Sequence, residues 1–268
     1  AAIAEPTLGY ITNYGKAHLE GFGGFEGIIK GKSELYDYLA SSKSGVALVN
    51  ADDTLQMDKS AACKRVTFGN ASAQFAYQSD SHNEFAGITF SNASGSFAVQ
   101  SNLSGSFNCT NLGAAATIGL YFDVPATAIA EALSNYVPAM NRVEWRVTAR
   151  NKVLLDAYNA NPTSMSLSIE NFAKWHKDGW LVLGDMFELG EESAIEHQAI
   201  VELVQRTNME ERCILVGKHF GKTSWRGKQF RTTGDLETFW KENGAPEDAA
   251  ILLKGSRGIA LEQLLPLL

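Results

Sequence analysis

The chain has 268 residues, of which 45% are hydrophobic and 20% charged, and a formal net charge of −7. Such a length and apolar content support two ordinary domains with their own cores, while the acidic balance, with no basic stripe, argues against a nucleic-acid partner. No apolar run approaches the length of a membrane span, and the three cysteines Cys63, Cys109 and Cys213 form neither a zinc spacing nor a disulfide framework; with no secretory leader, a cytoplasmic protein is expected.

Thr7–Thr12 already reads as a strand, so the chain is expected to begin inside a domain. A glycine-rich turn, residues 13–24, follows, with His18 just past the strand end and Glu20 beside it. A metal or phosphate role for His18 and an ordinary hydrogen-bonding role both stand at this point. Ile28, Leu35 and Leu39 predict a helix over about 25–39, and Val46–Val49 a strand. From about Gly69 to Asn108 the composition turns to Ser, Asn, Ala, Gly and Phe, and the alternating runs 85–90 and 96–100 predict antiparallel strands. Residues 105–116 lead into a helix of small residues, and Val137–Pro138 is the expected domain junction.

The second half alternates more regularly. Lys152–Leu155 predicts a buried parallel strand. Asn161 is suited to cap the following helix, with Pro162 at its first position and Met165, Ile169, Phe172 and Ala173 along its apolar face. Trp180–Leu183, Cys213–Val216 and Ala249–Leu253 predict three more strands. Ser193 and Glu196 have capping-box spacing, and Leu261, Leu264 and Leu265 mark a closing helix. Strands alternating with helices imply a parallel sheet covered on both faces. Each strand ends in polar residues: Asp156, Asp185, Lys218, and Lys254 with Ser256 and Arg257. Right-handed crossovers bring such ends to one edge, where open α/β sheets bind ligands. Ordinary solvated loops are the alternative, and four charged ends in succession weigh against it.

Two stretches imitate a phosphate-binding loop. Gly27–Ser33 and Gly217–Thr223 each carry Gly-Lys-Ser/Thr, but with one residue too few after the first glycine. The first also lies inside a predicted helix, and the second leads into Ser224-Trp-Arg-Gly, a poor helix start. Neither is expected to cradle a triphosphate.

Four longer blocks carry a family resemblance. They are Ala17–Gly23 with Lys30–Glu34; Phe107–Asn111; Asp156–Met165, which reads Asp-Ala-Tyr-Asn-Ala-Asn-Pro-Thr-Ser-Met; and Leu183–Ser193 with His197. Together they resemble the Mur ligases, the ATP-dependent amide-forming enzymes of peptidoglycan synthesis, over nearly the whole chain. Asparagine where sister ligases usually carry histidine, within the third block, points to the branch that adds D-alanyl-D-alanine to UDP-N-acetylmuramoyl-tripeptide. The resemblance implies an α/β chain. Residues 1–137 would be the latter part of the central ATP-binding domain, a parallel βαβ unit with small antiparallel strands. Residues 138–268 would form a Rossmann-like, doubly wound C-terminal domain. The family's UDP-binding domain and its phosphate loop have no counterpart in the sequence, so a fragment with little activity of its own is expected.

The resemblance also implies site residues. His18 and Lys32 would stand at a magnesium ion, Lys32 as a carbamate, and are the catalytic candidates. Asn108 and Asn111 would contact the nucleotide base, with helix capping as the alternative. Arg142 would reach the ATP phosphates, although Pro138–Arg142 departs from the family's usual Pro-Gly-Arg. Asp156 would accept from the ribose, and Tyr158 and Asn159 would line the same nucleotide. Apart from the resemblance, a strand end followed by a helix N-terminus favours anions, so Lys254, Ser256 and Arg257 are the candidates for recognising substrate carboxylates. Asp185 and Glu188 would orient the incoming amine or cap the next helix. A monomer is expected, with ATP and magnesium as cofactors. Two other readings stay open: a ligase of the folylpolyglutamate synthase type, and a non-catalytic nucleotide-binding module.

Overall fold

A strand buried at every position needs cover on both faces, and Val46–Asn50 is such a strand. The computed structural model describes residues 1–80, 82–92, 95–138 and 140–268. These divide into two units, one of residues 1–15 and 22–136, the other of residues 16–21 and 137–268.

The first unit is built on a six-stranded sheet in chain order: β1 (Leu8–Tyr10), β2 (Val46–Asn50), β3 (Lys64–Gly69), β4 (Phe75–Asp80), β5 (Phe85–Asn92) and β6 (Gly95–Ser104). β1 to β4 pair in parallel and β4 to β6 antiparallel. The helices of this half of the chain are α1 (Leu19–Phe22), α2 (Phe25–Ser41), α3 (Thr54–Lys59), α4 (Asn108–Tyr121) and α5 (Ala126–Asn135). Alternate residues of β2 enter different cores, as a pleated strand requires. Ala47 and Val49 join Tyr14, Tyr36 and Leu39; Val46 and Leu48 join Val66, Phe68 and Ala114. A third cluster, including Ile88, Phe90, Val99, Leu112 and Ile129, fills the space between the antiparallel strands, α4 and α5.

The second unit has the sheet order β11-β10-β9-β12-β8-β7. Its elements are β7 (Glu144–Val147), β8 (Lys152–Asp156), α6 (Pro162–Trp175), β9 (Trp180–Gly184), α7 (Ser193–Arg206), β10 (Cys213–Val216), β11 (Lys228–Phe230), α8 (Thr233–Asn243) and β12 (Ala250–Lys254). All neighbours are parallel except the β7–β8 pair. Val153, Leu155, Val182, Ile214, Ile251 and Leu253 form one core with Leu236 and Trp240 of α8. The alternating residues Leu154, Leu181, Leu183, Leu215 and Leu252 are buried as well, so neither face of the sheet is open to water.

Several elements go beyond the sequence expectations, namely α1, β3, β4, β7, β11, α3, α5 and α8. β7 and β11 are short edge strands with exposed residues, which carry little hydrophobic signal. The expected closing helix is instead a 3₁₀ segment, Leu261–Leu267, with Pro266 inside it. Ser193 is not a cap: it has helical angles (φ −52°, ψ −44°), and Glu192 before it makes no side-chain cap bond. Asn161 does cap α6. Its side chain accepts from the Ser164 N–H at 2.9 Å, and Ser164 Oγ accepts from the Asn161 N–H at 3.2 Å. Asn161→Ala is therefore expected to lower stability by about 1 kcal/mol, read as an earlier urea midpoint with an unchanged slope.

Candidate functional site

In the first unit, Asn108 opens α4 from a buried position. Its Nδ2 donates to the Ser104 carbonyl at 2.8 Å, and its Oδ1 accepts from Asn111 Nδ2 at 2.9 Å. Asn111 is exposed one turn further along. Neither residue caps the helix, because the cap position is Phe107 and makes no side-chain cap bond. Lys32 of α2 donates to the Asn13 carbonyl at 2.8 Å. Burial holds its ammonium below the usual lysine range.

His18 belongs to the second unit, in the left-handed conformation (φ 58°), with Nδ1 against Glu188 Oε2. Its segment is held by further bonds. Lys16 Nζ reaches Glu196 at 2.5 Å, the Lys16 N–H donates to Thr163 Oγ1 at 3.2 Å, and the Glu20 N–H donates to the Glu188 carbonyl at 3.1 Å. The hydrogen bond to Glu196 raises the Lys16 pKa. His18 and Lys32 thus fall in different units. Among the described residues no three His, Cys, Asp or Glu side chains gather where they could hold a metal. Magnesium prefers oxygen donors, and the Lys32 ammonium, which donates to a carbonyl, is not one.

The strand ends of the second unit do share one edge. Lys254 and Asp156, the last residues of the neighbours β12 and β8, stand opposite each other in register. Lys254 Nζ lies 2.5 Å from Asp156 Oδ2, which also accepts from Ser168 Oγ at 3.0 Å. With its side chain only 1% exposed, Lys254 is committed to Asp156 and is not presented to a substrate carboxylate, contrary to the sequence expectation. Ser256 is buried too. Its Oγ accepts from the Phe187 N–H at 3.0 Å, and its N–H donates to the Asp185 carbonyl at 3.0 Å. It ties loops together instead of facing a ligand.

Asp185 does not cap the next helix, whose cap positions make no side-chain bond. Its side chain is 2% exposed and turns toward the loop after β10, where it accepts from the N–H groups of His219 and Phe220, each at 2.9 Å. Gly217 permits this approach: it has φ 134°, and a Cβ there would lie 2.1 Å from Asp185 Cγ. Behind it, His197 is fully buried. Its Nε2 accepts from the Met186 N–H at 3.0 Å, and its Nδ1 donates to the Ser193 carbonyl at 2.6 Å. Both nitrogens are used by the neutral ring. Burial lowers its pKa below the ordinary histidine value, outweighing the Ser193 carbonyl and the Asp185 charge, which favour the proton; His219 adds to the lowering. The 3.7 Å approach of Asp185 to Nε2 is accordingly not an ion pair.

Exposed on the same edge are Arg142, Arg257 and Asn159, with Tyr158 partly covered. The Arg142 guanidinium lies 3.9 Å from the Tyr158 ring centroid. Beyond β10, Lys218, Lys222 and Arg231 line a cavity of about 430 Å³. Of these three, the sequence pattern singles out Lys218 but not Lys222 or Arg231. It also misses Ser168 and reads Glu196 only as part of a cap, since nothing in an amphipathic helix pattern separates a buried polar partner from a surface one.

Fold and site together define an α/β protein with a doubly wound second unit, its ionisable groups gathered where parallel strands end. The Mur ligase middle domain matches residues 1–119, and the Mur ligase glutamate ligase domain matches residues 141–257. The chain belongs to the Mur ligase family. It is 31% identical to the UDP-N-acetylmuramoyl-tripeptide–D-alanyl-D-alanine ligase of Escherichia coli (strain K12) over 98% of its length and 60% of that enzyme. The structure of MurF from Acinetobacter baumannii is 26% identical, superposes with a TM-score of 0.83, and is matched over 98% of this chain and 60% of its own. MurF from Thermotoga maritima in complex with ADP gives 0.81 at 21% identity, over 99% of this chain and 62% of that one. The chain thus spans about 60% of the length of these relatives.

Two outcomes follow from the buried groups. Lys254→Met alone strands the Asp156 carboxylate and is expected to cost ~3–5 kcal/mol in urea unfolding, most of it recovered when Asp156→Leu is added. For His197, the unfolded chain binds the proton more readily than the folded one. Its stabilising contribution is complete above about 6.5 and is lost as pH falls below that value. Unfolding free energies measured across that range are expected to decline toward acid more steeply in the wild type than in His197→Asn.

Proposed function

We propose that this chain is the nucleotide-binding and C-terminal portion of a UDP-N-acetylmuramoyl-tripeptide–D-alanyl-D-alanine ligase. The carrying observation is that relatives bearing this name align with 98% of the chain at up to 31% identity. The asparagines of the Asp156–Met165 block support the same branch over the folylpolyglutamate alternative. In this reading residues 1–137 are the latter part of the ATP-binding domain and residues 138–268 the C-terminal ligase domain.

The reaction joins a carboxylate to an amine. A terminal carboxylate oxygen of the tripeptide attacks the γ-phosphorus of ATP, and ADP leaves. The deprotonated amine of D-alanyl-D-alanine attacks the acyl carbon, and phosphate leaves with that oxygen. The physical difficulty is the approach of one anion to another, so the protein must supply cations and fixed dipoles. Arg142 and Arg257 are exposed guanidiniums suited to phosphate and carboxylate oxygens. Tyr158 and Asn159 line the nucleotide on the same edge, and Asp156 accepts from the ribose through the carboxylate oxygen that Lys254 and Ser168 leave free. Lys254 and Ser256 act indirectly, by fixing Asp156 and the loop of Phe187. Asn111, held by Asn108, is the base contact of the first unit.

Magnesium would neutralise phosphate charge. His18 is the imidazole candidate for it once separated from Glu188, and Lys32 could join it only as the carbamate; its burial-lowered pKa increases the neutral amine that carbamylation needs. Glu188 and Asp185 are retained as amine-side residues, Glu188 directly and Asp185 through the loop it holds. The ATP and UDP-linked substrates fit a cytoplasmic setting, and no helix among the described residues is long and apolar enough to cross a membrane.

The natural protein containing this chain is expected to release ADP only when both UDP-N-acetylmuramoyl-tripeptide and D-alanyl-D-alanine are present, whereas these 268 residues by themselves give no detectable turnover, for want of phosphate positioning. Turnover with glutamate and none with D-alanyl-D-alanine, or ligation by the 268-residue chain, would refute this.

A further inference from the structure

Three segments of the second unit meet at one aromatic ring. Tyr158 follows β8, Arg142 precedes β7 and Arg257 follows β12. Arg142 Cζ is 3.9 Å from the Tyr158 ring centroid, and Arg257 Cζ is 5.7 Å from it. The backbone fixes the first contact, because the N–H groups of Ala157 and Tyr158 both donate to the Asn141 carbonyl, at 3.0 and 3.2 Å. Arg146, Arg150 and Arg212 each hold a carboxylate. Arg142 and Arg257 have no such partner among the described residues, and the nearby acid, Asp156, is taken by Lys254. Two like charges therefore converge on one ring, with no carboxylate paired to either among the described residues.

Guanidiniums repel each other, and exposed side chains of this length have many rotamers. The ring they share draws both toward one place through cation–π attraction. It also leaves their N–H forks free, since a stacked guanidinium still presents its edge. We propose that Tyr158 is a positioning residue whose ring gathers Arg142 and Arg257 into a single receptor for a polyphosphate chain. Two forks on one ring suit two neighbouring phosphate groups, each able to accept from one guanidinium; a lone carboxylate would satisfy one fork and leave the second cation uncompensated. The proposal rests on the ligase reading only for the identity of the natural polyphosphate.

Binding of inorganic tripolyphosphate to the 268-residue chain, followed by calorimetry at low salt, tests it without adenine or dipeptide. Tyr158→Phe keeps the ring and is expected to bind within about twofold of wild type, while Tyr158→Leu binds about tenfold more weakly. Arg142→Ala is expected to weaken binding less when combined with Tyr158→Leu than in the wild type, because without the ring Arg142 is no longer held in place. Thermal melting checks that each variant is folded. Should the Tyr158→Leu protein not fold, Arg142→Lys, which keeps the charge and loses the planar fork, is expected to bind about fivefold more weakly. Wild-type affinity in the Tyr158→Leu protein (or, failing that, in Arg142→Lys), strictly additive effects of the two substitutions, or acetate binding as tight as tripolyphosphate binding would overturn the proposal. Loss of the ring effect would not touch the ligase assignment, and a different natural substrate would not touch the ring effect.

Discussion

The second unit depends on one buried ion pair. Lys254 and Asp156 end adjacent parallel strands at the same register, 2.5 Å apart at the charged atoms, with Ser168 of α6 as third partner. Either charge alone in that position would be costly, and together they at best offset their desolvation. Their gain is geometric. The pair fixes the ends of β8 and β12 at one height, so the two loops that follow, 157–161 and 255–260, leave the sheet from a common origin. One of those loops carries Tyr158 and the other Arg257. The cation that looked most suited to a ligand is thereby internal, and the cations left at the surface are the arginines.

A second buried polar group organises the other half of that edge. Asp185 accepts two backbone N–H groups from the loop after β10, and Ser256 bonds to both the Asp185 carbonyl and the Phe187 N–H. His197 completes the arrangement as a neutral ring, accepting from Met186 and donating to Ser193. Polar groups this deep are tolerated because each has its partner. Three loops are consequently joined by side chains that never face solvent, which leaves exposed Glu188, Asn159, Arg142 and Arg257 on a well-supported frame.

The sequence makes this frame legible to different degrees. Strands with uninterrupted apolar runs, such as Trp180–Leu183 and Ile251–Leu253, are readable because burial on both faces leaves no polar position in them. The Asn161 cap is readable because its chemistry is local. Ser193 misleads for the complementary reason: spacing predicts a cap, but the hydroxyl is engaged by His219 from a distant loop, with His197 one helical turn on. The edge strands β7 and β11 are half polar and gain their conformation from one neighbour. Lys254 is legible as a residue of the right edge but not in its orientation, since a strand-end lysine looks the same whether it points to water or to an aspartate about a hundred residues away in sequence. Residue types locate the edge; only the fold determines which charges neutralise each other.

The same distinction explains why Gly217–Thr223 imitates a phosphate loop without being one. A phosphate cradle needs free backbone N–H groups converging on empty space. The loop after β10 has the converging groups, at His219 and Phe220, but Asp185 already occupies their focus from within the protein. A phosphate would have to displace a buried carboxylate that has no other partner of equal strength. The N–H groups serve to hold the loop, and what remains for a solvent-side anion is the side chains of Lys218, Lys222 and Arg231 around their cavity. The glycine that suggests nucleotide binding in the sequence is required instead by an internal carboxylate, since only a residue without Cβ can sit against Asp185 at Gly217.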